Sequence, residues 1–255
     1  MARKIFEILE DARKEISGDP DMDQLTRWLD WVRSALQGEM PSDRVIFDLV
    51  HRYMTARYAT ITRSVKKRHA LPRSFSPDMI AAEYRHYLRD RITASVELIK
   101  LNRDEEIERQ TRRFAGWATG ASLSDKSDDD FNELKKSTRK SIAGMTFIRR
   151  RVCTDQGHKL MAAIDDTIAL QYGAVAREWR HVIPHSGYQS REEHLERDHR
   201  IYAIRGIDGV KAGKDGYVDE LPDQPGELPY CSCFYRSIYD VDELPREMRS
   251  VAGAR

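Results

Sequence analysis

No stretch of this 255-residue chain is apolar for long enough to span a bilayer. That excludes membrane-crossing helices, so no membrane is expected among its partners. The opening MARKIFEILEDARKEISGD lacks the charged-then-apolar order of a signal peptide and reads instead as an amphipathic helix. Cysteine is scarce: Cys153, Cys231 and Cys233 are odd in number, and the last two stand only two apart, a poor spacing for a bridge. A disulfide framework is thereby excluded, and synthesis in a reducing cytoplasm is expected. An excess of one charge is missing too. Residues 1–183 hold 33 Lys and Arg against 28 Asp and Glu, and residues 184–255 hold 10 against 14. This is not the basic field that dominates non-specific nucleic-acid binding. No internal repeat is present. What remains, 40% hydrophobic and 33% charged, predicts a soluble chain with enough apolar surface for one large core or two smaller ones.

The first three-quarters carry helical periodicity almost without a break. Asp21 or Asp19, around Pro20, can cap a helix with apolar positions Met22, Leu25, Trp28, Leu29, Val32 and Leu36, ending near Gly38. Ser42 can cap a second, with Ile46, Val50, Tyr53, Met54, Tyr58, Ile61 and Val65 at three- and four-residue steps. Ser76-Pro77 can start a third, whose face is Ile80, Tyr84, Tyr87, Leu88, Ile92, Val96 and Ile99, running past Arg113 to Gly116 or Gly120. Helices of that length suit an extended hairpin or an assembly surface. ASLSDKSDDD, residues 121–130, is small, polar and acidic and reads as a linker, with Asp130 as the cap of the next helix. Phe131, Leu134, Ile142, Met145, Ile148 and Val152 then sit at helical steps. After an interruption at Gly157 the pattern resumes through Leu160, Ile164, Ile168, Tyr172, Val175 and Trp179. Trp28 and Trp31 are core residues at helical spacing or an exposed docking edge.

Near Trp179 the character changes. Pro184, Gly187, Gly206, Gly209, Gly213, Gly216, Pro222, Pro225, Gly226 and Pro229 exclude long helices. Short strand-like pieces at 180–183, 201–204 and 233–238 lie between them. One short helix fits REEHLERD, with Ser190 as cap and Glu193 completing a capping box. The fold class is therefore mainly α with a small α+β C-terminal module. The expected divisions are a helical body at 1–120, a linker at 121–130, a long helix or helix pair at 131–180, the module at 181–245 and a tail at 246–255.

The module gathers His185, His194 and His199 ahead of Cys231-Ser232-Cys233. Neutral imidazole and thiolate are the side chains that hold zinc best. His194, His199, Cys231 and Cys233 form a possible Cys2His2 structural zinc site, with His185 as a substitute ligand. Ion binding would supply folding energy to a segment poor in apolar residues. The alternative is a dry cluster in which the histidines bond backbone and the cysteines pack as small apolar residues. The single residue between the thiols strains a joint chelate and favours the dry form. Asp198-His199-Arg200 also invites a metal-dependent nuclease or toxin-like effector, with histidine activating water. The chain has no histidine after His199, so the downstream ligand of a His-metal finger is missing. Arg149, Arg150 and Arg151, with Lys135, Lys136, Arg139 and Lys140, form a solvated face or a sequence-blind contact with DNA.

The order of these features resembles the phage head morphogenesis family, the minor head proteins of Mu-like and related tailed phages. In that family a helix runs into a tryptophan-containing strand, followed by a His segment, a Gly/Pro-rich stretch and a closing Cys-x-Cys strand. Here the helix from Thr154-Asp155 to Gly173, the strand with Trp179, REEHLERDHRIY and PGELPYCSC occupy those places, over residues 140–240. Two positions depart from the pattern: Ser232 stands where the family has Arg, and Asp198-His199 where Asp-Gly is common. The resemblance implies a non-enzymatic virion component at the portal vertex of the head, made in the host cytoplasm and acting in procapsid assembly and in DNA packaging or ejection. It implies the portal protein, the major capsid or scaffolding protein, and further copies of itself as partners.

Overall fold

A computed structural model describes residues 4–16, 20–68, 81–120, 127–183, 187 and 189–250. The chain is mainly helical (67%), with one small antiparallel sheet near its C-terminus, so the expected fold class holds. Five helices come first: α1 (Ile5–Glu15), α2 (Met22–Glu39), α3 (Asp43–Arg68), α4 (Ala81–Ala118) and α5 (Asp128–Gln171). Strand β1 (Ala176–Arg180), the short α6 (Glu192–Glu196), β2 (Ile201–Ala203) and β3 (Phe234–Ile238) come after them. No described helix is long and apolar enough to cross a membrane. The chain divides into two compact units, Met1–His51 with Ala94–Val152, and Arg52–Thr93 with Cys153–Arg255.

The first unit is held by apolar stripes. Asp21 caps α2 by accepting the backbone N–H of Gln24 at 2.7 Å. Trp28, Val32, Ala35 and Leu36, at helical steps, are buried. Of the tryptophan pair, Trp28 is core, whereas Trp31 is 40% exposed and presents its ring edge-on to Trp28 at 4.8 Å. Phe114, Trp117 and Phe131 pack in series with tilted rings, their centroids 5.7 and 5.2 Å apart. One polar bridge is buried with them. Gln110 donates to Ser141 Oγ at 2.7 Å and accepts from Ser137 Oγ at 3.1 Å, which satisfies both ends of its amide. The basic face is largely engaged locally: Lys135 pairs with Glu10 and Lys136 with Glu133, while Arg139 lies over the ring of Phe6.

Helix α5 begins earlier than its sequence suggests. Ser127, not Asp130, is the cap: its hydroxyl accepts the Asp130 N–H and donates to the Asp130 carboxylate. Asp128, Asp129 and Asp130 fill the first turn, where carboxylates oppose the positive end of the helix dipole. Residues 121–126 of the expected linker lie outside the described residues, as do Asp19, Ser76-Pro77, Ile80 and Pro184.

In the second unit, Ile61, Tyr84, Leu160, Ile164 and Ile168 form one buried cluster. The expected interruption at Gly157 does not occur. Gly157 faces the side chains of Tyr53 and Arg57, 3.5 Å from where a Cβ would stand, and packing outweighs the roughly 1 kcal/mol helix penalty of glycine. The helix instead stops at Gly173, in the left-handed region at φ 70°. The Ala174 N–H returns to Ala169 O and the Gly173 N–H to Leu170 O, a Schellman ending. Val175 and Trp179 are thus not on the helix, despite their spacing, and the first strand runs over Ala176–Arg180 instead of 180–183.

The sheet order is β2-β1-β3, with Ala176 opposite both Ala203 and Ile238, and Trp179 opposite Tyr235. Strand alternation sorts the two faces. Ala176, Ala203 and Ile238 join Val175, Leu244 and Met248 on one. Trp179 and Tyr202 join Cys231 and Cys233 on the other.

Candidate metal centre

Helix α6, helix α5 and the turn before β3 converge beside Trp179 of β1. Helix α6 is only five residues long, and His194 is its buried residue. Its N-cap is Arg191, whose side chain makes no cap bond, so neither the Ser190 cap nor its capping box forms. Arg191 is fixed instead by donating to Pro229 O at 3.0 Å. The Cys231–Cys233 segment lies just before β3 in a turn where the Cys231 N–H bonds Leu228 O. Two residues of α5 hold that turn. Asp155 accepts the Tyr230 N–H at 3.0 Å, and His158 Nδ1 donates to Cys231 O at 2.8 Å. Burial, aided by the Arg57 charge, lowers the His158 pKa from 6.5 and keeps the ring neutral for that bond.

The result is a buried group of His194, Cys231 and Cys233 whose ligand atoms lie within 4.8 Å of one another and which can hold a metal ion. His194 Nδ1 is 3.5 Å from Cys231 Sγ and 3.6 Å from Cys233 Sγ. Tetrahedral zinc with its ordinary bonds to sulfur and nitrogen separates N from S by about 3.6 Å, so both spacings fit one ion between them. All three residues are 3–4% exposed, and all three cysteines of the chain are free thiols.

The electrostatics suit a thiolate at Cys231 and a thiol at Cys233. The Cys233 thiol hydrogen-bonds Cys231 and draws its pKa down, helped by the Gly226 N–H, which reaches Cys231 Sγ at 3.3 Å, and by the His194 charge. The same shared proton raises Cys233, burial adds to that rise, and the Val182 backbone and the Trp179 side chain oppose it. Gly226 turns its N–H inward at φ 78°, where a Cβ would meet His158 O at 3.4 Å. The left-handed backbone is what favours glycine at this position.

Around the group sits a polar shell. His194 Nε2 is 2.9 Å from Asp223 Oδ2, and Asp223 Oδ1 accepts from Arg197 Nη1 at 2.8 Å. The Arg197 guanidinium lies over the Trp179 ring at 5.1 Å, and that ring meets His194 edge-on at 5.2 Å.

His199 stands apart from this group. Its backbone is left-handed at φ 62°, its side chain is 60% exposed, and Nδ1 lies 3.1 Å from Glu178 Oε1 and 3.0 Å from Arg180 Nη1. Glu178 also pairs with Arg180 and Arg236, so His199 belongs to a surface ion cluster on the opposite face of β1. Asp198 is occupied in accepting the His181 N–H at 2.8 Å. His185 lies outside the described residues. Asp223, Arg197, His158 and Gly226 were not singled out for this site in the sequence. The signal was there for Asp223 alone, an acid between Pro222 and Pro225 just ahead of the cysteines.

Searches against protein-family models, curated proteins and solved structures gave no match to this chain.

Proposed function

We propose that this chain is a structural minor head protein of a tailed phage, working at the portal vertex through protein contacts, with a C-terminal module stabilised by zinc on His194, Cys231 and Cys233. The observation that carries it is the burial of those three side chains within a module of fixed order: helix, tryptophan strand, His segment, Gly/Pro-rich stretch, Cys-x-Cys. That order is the one on which the resemblance to head morphogenesis proteins rests. A reaction centre needs a path for substrate, whereas ligands exposed by only 3–4% suit a site that staples a fold, the fourth position of the tetrahedron being filled from outside this group of three. Zinc is favoured over a dry cluster by the paired 3.5 and 3.6 Å spacings and by the N–H donor to Cys231 Sγ. A dry imidazole N–H can serve only one of the two sulfurs well.

The long helices supply the contact surface. Val45 and Phe47 on α3, and Leu98 and Leu101 on α4, are 39–55% exposed, apolar area that suits a protein partner such as the portal, the capsid or scaffolding protein, or a second copy. Mass spectrometry of purified procapsids and virions tests the role: the chain is expected in one or both, and absence from both contradicts it. Deleting residues 1–120 should abolish incorporation, and unchanged incorporation would remove the helices from the interface.

A further inference from the structure

A histidine that binds a metal through Nδ1 must carry its proton on Nε2, and the partner of Nε2 decides whether it does. In this module that partner is Asp223, 2.9 Å away and 14% exposed in its side chain. Its other oxygen is taken by Arg197, whose side chain is 12% exposed and which stacks over Trp179. Both oxygens therefore accept, one from each neighbour, and only a carboxylate can do this. An amide in the same place has one acceptor and one donor. It would either turn its NH2 on Arg197, donor against donor, or turn it on His194 Nε2, which would move the imidazole proton to Nδ1 and block the ligand atom.

We propose that Asp223 is the positioning residue of the metal centre, with Arg197 as its brace: together they fix the His194 tautomer and aim Nδ1 at the space between the two sulfurs. The charges are consistent with this assignment. Two thiolates balance a divalent ion, and Asp223 balances Arg197, so the loaded centre is neutral where it is buried. The inference rests on the zinc assignment above and adds what sets the affinity of the site.

The test uses the full-length chain and zinc itself. Zinc affinity is measured by competition with a chromogenic chelator for the native chain, Asp223→Asn and Arg197→Gln, with far-UV circular dichroism to check the fold of each. Asp223→Asn is expected to weaken zinc by roughly 10–100-fold, as outer-shell partners of metal-bound histidine do. Arg197→Gln, which leaves the carboxylate in place, is expected to weaken it less. Cobalt(II) substitution gives a second readout. Asp223→Asn should keep the near-UV thiolate-to-metal band and lose intensity in the visible bands of tetrahedral coordination, a change that general loosening of the fold would not produce selectively. Native-like zinc affinity in a folded Asp223→Asn overturns the positioning role and leaves the metal site standing. No zinc binding by the native chain overturns both. Should Asp223→Asn fail to fold, Arg197→Gln decides: native affinity there overturns the proposal, and a loss with retained fold supports it.

Discussion

Trp28 and His194 are almost equally buried, at 1% and 3% exposure, and they are held in different ways. Trp28 sits in a stripe repeated at helical steps, and its indole N–H has no hydrogen-bond partner. Its place depends on volume and apolar area alone. His194 is surrounded by two sulfurs, a carboxylate and an aromatic edge, and its place depends on which atoms face it. The helical body is therefore expected to accept substitutions that keep size, and the C-terminal module almost none at its centre. Where apolar residues are dense, burial alone specifies structure; where glycine and proline displace them, a few directed bonds must do so.

That contrast is open to test. The largest effect is expected from Cys231→Ser. With zinc present it should destabilise the second unit by several kcal/mol and abolish chelator sensitivity in a thermal melt. A loss of only about 1–2 kcal/mol, the worth of a small buried side chain, would mean a dry cluster. Trp28→Ala should cost about 3–5 kcal/mol by denaturant unfolding, with zinc content unchanged. A loss of zinc in that variant would show that the first unit and the metal centre are not independent. Gly226→Ala should cost about 1–3 kcal/mol, because alanine must adopt φ 78°. Gly38→Ala, with nothing within 4 Å of its Cβ, is the control and should be neutral or stabilising.

The smallest effect concerns pH. The folded-state pKa of His158 lies below its ordinary 6.5, so the unfolded chain takes up a proton more readily. Its contribution is fully present above pH 6.5 and is lost as pH falls below that value. His158→Gln keeps a donor for Cys231 O and removes the titration. The difference in melting temperature between the two chains should therefore narrow as pH drops from about 7.5 through about 6.5 and below. A constant difference would contradict a neutral His158.

The contrast also explains what the sequence could disclose. Helices α2, α3 and α4 were legible because their stripes repeat and Asp21 caps where a cap was expected. His194, Cys231 and Cys233 were legible because few residue types bind metals. His199 belongs with them by residue type alone, but α6 stops at Glu196, the chain turns at Arg197–His199, and the ring lands beside Glu178. Trp179 carried a helical spacing that Gly173 cancels, since one left-handed residue ended the helix before it. The cap of α5 lies three residues before Asp130 because four consecutive polar positions, Ser127 to Asp130, can each cap. Asp223 acts through bonds to His194 and Arg197, 29 and 26 residues away along the chain, and Gly226 through one N–H to Cys231, and no helical or strand periodicity marks such bonds.

The most direct test of the metal centre is the zinc content of the purified full-length chain, measured by elemental analysis before and after dialysis against a strong chelator, each sample then melted. One zinc per chain is expected, removable by chelator, with a lower melting temperature in its absence that added zinc restores. A metal-free chain whose melting is indifferent to chelator and to zinc would contradict a zinc-stapled module.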